Sequence, residues 1–164
     1  ISVGGARVTL DGLRSDTRIH ITGNDKVKGQ YLELHRNGYS EYGRSIGGDG
    51  KVPSELVAYL VHSFLTLIGN IYKLSGVGGP FAAWLQLHNV HNFSLATDQA
   101  TSRLVFIQDI EVVRWEKGDL LTPKFVTENV VLNGDFIGRQ INDRLRNAFG
   151  FSNARIYDES GELH

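Results

Sequence analysis

Two histidines three residues apart, His88 and His91 in the run His-Asn-Val-His, are the nearest approach to a metal motif in this sequence. Zinc in a protein site takes at least three side-chain ligands in a defined geometry. Asp98 is the closest carboxylate, and the His-Glu-x-x-His pattern of helical zinc proteases does not occur. His88, His91 and Asp98 are therefore an incomplete set. A metal-dependent hydrolase or nuclease would have to be built on them, against the plainer expectation of histidines satisfying local hydrogen bonds at a strand end.

Other chemistry is missing parts in the same way. The segment from Gly43 to Lys51 has the look of a phosphate loop, but Ser45 stands where the first glycine belongs and Val52 where a magnesium-binding hydroxyl belongs. Ser40 with His35 across a hairpin, oriented by Glu33 or Glu41, would be a nucleophile and base with no evident oxyanion donor. Asp109 and Glu111 fall on one side of an expected strand, where two acids more often form a solvated stripe. No cysteine is present, so disulfides, thiolate nucleophiles and Cys-containing metal sites are excluded. These gaps predict no catalytic residue and no cofactor, although a metal-using alternative stays open.

The surface chemistry richest in recognition residues lies elsewhere. Tyr31, Glu33, His35, Arg36, Tyr39, Glu41, Tyr42 and Arg44 crowd one short stretch, and Trp84 and His88 form a second group. Protein interfaces favour this mixture of Tyr, Trp and Arg. The same aromatics could stack bases, with Arg36 and Arg44 on phosphates. A net charge of -1 supplies little long-range attraction for a polyanion.

The elements that must position these residues follow from pattern. With 164 residues, 41% hydrophobic and 21% charged, the chain is an ordinary globular sequence of single-domain length, 1–164. Brief strands are expected over Ala6 to Leu10 and Arg18 to Thr22, separated by Asp11, Gly12, Ser15 and Asp16. Asn37-Gly38 between alternating runs predicts a two-residue type I′ hairpin that pairs Arg36 with Tyr39 and Leu34 with Glu41. From Ser54 to Leu74, behind Pro53, apolar residues including Leu60, Phe64, Leu65 and Ile68 recur at helical spacing. No charge occurs between Leu56 and Tyr72, so a membrane span competes with a core helix; its bare minimum length and scattered polar residues favour the core. Strands are expected over Phe81 to Val90 and Arg103 to Trp115, with Phe125 to Leu132 undecided. A second amphipathic helix spans Gly134 to Phe149, started by Asn133 or Asp135 and closed by Gly150. The sum is an α+β fold: a mixed or mostly antiparallel sheet with two main helices packed on it.

The stretch Tyr31-Leu-Glu-Leu-His-Arg-Asn-Gly-Tyr-Ser-Glu-Tyr-Gly43 resembles a segment from the C-terminal, accessory regions of bacterial Schlafen-like AlbA-domain proteins. The resemblance covers about a tenth of the chain. It implies an accessory module of a protein that handles nucleic acid, and no catalytic residue carries over from it. The chain begins at Ile1 and has no methionine, which predicts a piece of a longer protein. No basic region followed by an apolar one opens the sequence, so the cytoplasm is the expected compartment. The functional expectation is a non-catalytic binding or assembly module. Its partner would be a protein or a second copy of itself, without membrane contact, and with nucleic acid reached through the parent protein or, alternatively, bound directly as a single strand.

Overall fold

A computed structural model describes residues 6–20, 27–46, 49–96 and 113–151. The expected strand over 103–112, with Asp109 and Glu111, lies outside the described residues, as does Asp98. The class is α+β. The chain forms two compact units, Ile1–Ile46 and Gly47–His164.

The first unit is a four-stranded antiparallel sheet in the order β1-β2-β3-β4, made of Ala6–Val8, Gly12–His20, Val27–His35 and Ser40–Arg44. The expected break at Ser15 and Asp16 is absent, and β2 runs unbroken for nine residues. Alternation explains this: Leu13 and Ser15 occupy one side of the strand, and Arg14 and Asp16 the other.

The β3–β4 connection corrects the expected turn. The His35 N–H donates to the Tyr39 carbonyl at 2.8 Å and the Gly38 N–H donates to the His35 carbonyl at 3.1 Å, closing a three-residue loop. Gly38 alone in this loop has a positive φ, +83°. Asn37 instead accepts the Tyr39 N–H on its side-chain oxygen at 3.0 Å. This is a type I turn followed by a left-handed glycine, which asks for one unusual residue where type I′ asks for two. The pairing shifts by one residue, giving Leu34 opposite Ser40, Glu33 opposite Glu41, Leu32 opposite Tyr42 and Tyr31 opposite Gly43. Because side chains alternate with a period of two, that single step exchanges the faces of β4.

The second unit is built on α1, Ser54–Ser75, and α2, Val130–Ala148. The two run antiparallel and close together: Leu65 lies against Gly134 and Gly138, His62 pairs with Asp135 at 2.8 Å, and the Arg146 guanidinium reaches the Ser54 hydroxyl at 3.4 Å. Leu65, Ile137 and Ile141 form the core cluster, with Val61, Phe81, Ala83, Leu85 and Phe125 packed against it. Leu65 and Val61 bring α1 to this cluster. By length and composition α1 could cross a membrane. Its buried positions include Val57, Ala58, Leu60, Leu65 and Ile68, and Leu65 joins the core cluster.

Both helices end in the same way. Gly76 and Gly150 adopt left-handed φ, and the residue after each donates to a carbonyl five positions back, Val77 to Tyr72 and Phe151 to Arg146. The start of α2 differs from expectation, because the helix begins at Val130, ahead of both candidate caps. Thr127 anchors that start: its hydroxyl oxygen accepts the Asn129 N–H at 3.2 Å and the Asn133 side-chain amide at 2.9 Å.

The expected strand over Phe81 to Val90 is two short ones, β6 (Phe81–Ala83) and β7 (Gln86–Leu87). They pair antiparallel with β10 (Phe125–Thr127) and β9 (Leu120–Leu121) respectively. Thr122 bridges the interruption, accepting the Leu85 N–H on its hydroxyl at 2.9 Å. A parallel pair, β5 (Lys51–Pro53) with β8 (Ser94–Ala96), buries Val52 beside the start of α1. The described strands thus fall into one four-stranded and three two-stranded sheets.

Candidate functional site

One face of the first unit's sheet gathers Arg14, Tyr31, Glu33, His35 and Glu41. Register alone sets the first row: Arg14 on β2 lies opposite Glu33 on β3, which lies opposite Glu41 on β4. Tyr31 and His35, two residues to either side of Glu33, share that face, and Tyr39 follows His35 across the turn. The opposite face carries Leu13, Leu32, Leu34 and Tyr42, of which Leu32 is buried.

The polar face is tightly bonded. The Arg14 guanidinium donates to Glu33 at 3.0 Å, lies 3.5 Å from an Asp16 oxygen, and sits 4.8 Å from the centre of the Tyr31 ring. The Tyr31 ring covers Gly43, where a Cβ would collide with it, so a side chain opposite this tyrosine would displace the ring. The Tyr39 hydroxyl donates to Glu41 at 2.9 Å, and its ring packs on His35 at 5.1 Å between centroids. A carboxylate oxygen from each of Glu33 and Glu41 and a ring nitrogen of His35 lie within 4.8 Å of one another, all three residues being half-buried. The His35 Nε2 is buried and has no hydrogen-bond partner.

The electrostatics are those of an acidic face. Partial burial, and then the Glu41 carboxylate, push the Tyr39 phenol up to about 12. Burial and Glu41 also raise Tyr31, against a lowering by Arg14. Both tyrosines therefore hold their protons more strongly than a free phenol and serve as donors toward Glu41.

The residues singled out in the sequence divide between places. Glu33, His35, Tyr39 and Glu41 come together on this face. Arg36 is exposed in the turn, while Tyr42 and Arg44 point to the opposite face, where the Tyr42 hydroxyl donates to Gln30 at 3.0 Å. Trp84 and His88 belong to the second unit. The Lys124 ammonium lies 5.0 Å from the Trp84 ring centre, and Trp115 packs against Phe149 at 6.2 Å while its indole N–H donates to the Asp119 carbonyl.

His88 approaches Asp119 at 3.0 Å through Nδ1. The other Asp119 oxygen accepts the Asn89 N–H at 2.9 Å. These bonds, the Asn89 one first, hold the Asp119 carboxyl below its ordinary range. His91 is exposed in the following turn. Among the described residues, the metal-ligand cluster is Glu33, His35 and Glu41, and His88 and His91 are not in it.

Arg14 and Asp16 are the site residues that sequence reading missed. Their signal was the strict alternation along β2, hidden by reading Ser15-Asp16 as a turn. No protein-family model, curated protein or solved structure matches this chain at a significant level.

Proposed function

We propose that the chain is a non-catalytic binding or assembly module of a larger cytoplasmic protein, and that the polar face of its first sheet is the recognition surface. The observation that carries this reading is the row Arg14, Glu33, Glu41 flanked by Tyr31, His35 and Tyr39. Rigid aromatic rings and a fixed guanidinium on a sheet face are the chemistry that protein interfaces favour. The Tyr31 to Gly43 segment that resembles the accessory regions of bacterial Schlafen-like AlbA-domain proteins is also the hairpin that supplies most of this face. That correspondence supports a parent protein handling nucleic acid.

The sign of the face selects the partner. Two facing carboxylates and a third from Asp16 outnumber the single guanidinium, and such a surface repels phosphate. A protein presenting basic groups fits better than a nucleic acid strand. A second copy of this chain is one such partner, because Arg36 and Arg44 are exposed. Sedimentation velocity over a concentration series tests the reading. Self-association weakened by Tyr39→Ala supports it. A monomer at every concentration that retains single-stranded oligonucleotides would replace it with direct nucleic acid binding.

A further inference from the structure

Two carboxylates directly opposite each other on neighbouring strands repel. Each has fixed neighbours, Arg14 for Glu33 and the Tyr39 and Tyr31 hydroxyls for Glu41. A carboxylate offers about four lone-pair positions over its two oxygens, so these bonds orient the groups without exhausting them. The imidazole of His35 completes the cluster, and its Nε2 is shielded from water with no hydrogen-bond partner. A buried ring nitrogen in that condition is unsatisfied, and in the tautomer that carries the proton on Nδ1 its lone pair can take a cation.

We propose that Glu33, His35 and Glu41 bind one divalent transition-metal ion of the zinc or manganese class. One imidazole nitrogen and two carboxylate oxygens are a donor set for such ions; calcium and magnesium prefer oxygen alone, and soft thiolate chemistry is absent from this chain. A spread of up to 4.8 Å between donor atoms asks for a small inward movement of flexible side chains to reach metal-ligand distances near 2.1 Å. Arg14 and Tyr39 take the role of outer partners that fix the ligating carboxylates. Three protein ligands leave positions open for water or for a donor from a docked partner. The ion would neutralise the acidic row and couple the docking surface to metal supply, an inference that rests on this face being the working one.

Calorimetric titration of metal-depleted protein with zinc chloride, and electron paramagnetic resonance with manganese chloride, read the site directly. The expected result is one ion per chain. His35→Ala and Glu41→Gln should weaken binding by about tenfold or more, and Tyr39→Phe by about tenfold through loss of its hold on Glu41. His88→Ala combined with His91→Ala should leave stoichiometry and affinity unchanged. Should a variant fail to fold, manganese broadening of the proton resonances of the wild-type protein decides, with the His35 ring affected before those of His88 and His91. Unchanged affinity in His35→Ala and Glu41→Gln, no saturable binding, or first broadening at His88 or His91 would overturn the assignment. No partner is present in these titrations, so a negative result refutes the metal site alone, and sedimentation of the same metal-free protein tests the docking surface separately.

Discussion

Arg14 is the residue on which the polar face depends electrostatically. Its partner Glu33 has a side chain only 12% exposed and faces a second carboxylate. Removing the guanidinium leaves a nearly buried charge beside a like charge, so Arg14→Ala is expected to cost about 1 to 3 kcal/mol in metal-free buffer. Glu41→Gln should act in the other direction. It ends the repulsion and keeps an acceptor for the Tyr39 hydroxyl, which predicts a gain of up to about 1 kcal/mol that shrinks as salt rises. Chemical denaturation of the two variants at low and high salt checks both signs. Asp119 gives a pH dependence. Its folded-state carboxyl lies below the ordinary 3.8, so its stabilisation is fully present above that value and is lost as pH falls through the lower folded value. Because the Asn89 N–H is the larger cause, the Asp119 carboxyl in His88→Ala should remain depressed in a carbon-detected NMR titration. A return to 3.8 would mean that His88 alone sets it.

At the scale of elements, the α1–α2 contact runs over two glycines, Gly134 and Gly138. A Cβ added at Gly138 would meet Leu65 at 3.7 Å and Val61 at 3.8 Å, ordinary van der Waals distances. Gly138→Ala therefore has room, and helix propensity predicts a gain of about 0.5 to 1 kcal/mol. Gly138→Leu would overpack the same gap, with an expected loss of about 1 to 3 kcal/mol. Thermal melts of the pair should bracket the wild type, and a destabilised Ala variant would show that the helices approach more closely than this. The hairpin illustrates the reverse dependence, of an element on one residue. Gly38 holds the left-handed position of the turn, and the pairing of Glu33 with Glu41 follows from it. A side chain there would strain the loop by about 1 to 2 kcal/mol and favour other registers.

For the whole molecule, the division at residue 46 has a consequence for folding. The cluster of Leu65, Ile137 and Ile141 lies within 47–164, as do Val61, Phe81, Ala83, Leu85 and Phe125 packed against it. A fragment of those residues should keep its helical circular dichroism and melt cooperatively; a gradual, featureless melt would show that the core needs the first unit. Both main helices were legible in the sequence, since their apolar spacing and closing glycines are local signals. The start of α2 was less so, because Val130, Val131 and Leu132 favour strand as readily as helix and the Thr127 anchor is a contact outside the helix itself.

The sequence by itself determined the α+β class, both helices with their glycine ends, and the presence of a hairpin at Asn37-Gly38, because each of these is written in residues a few positions apart. Only the tertiary structure decided that Glu33 faces Glu41 and that Arg14, Tyr31, His35 and Tyr39 surround them. Those residues come from three strands and the turn that joins two of them, and their meeting depends on a register that one residue in the turn can shift, carrying every side chain of β4 to the other face. His35, paired in the sequence reading with Ser40 as a possible catalytic dyad, thereby joins two carboxylates in place of a hydroxyl.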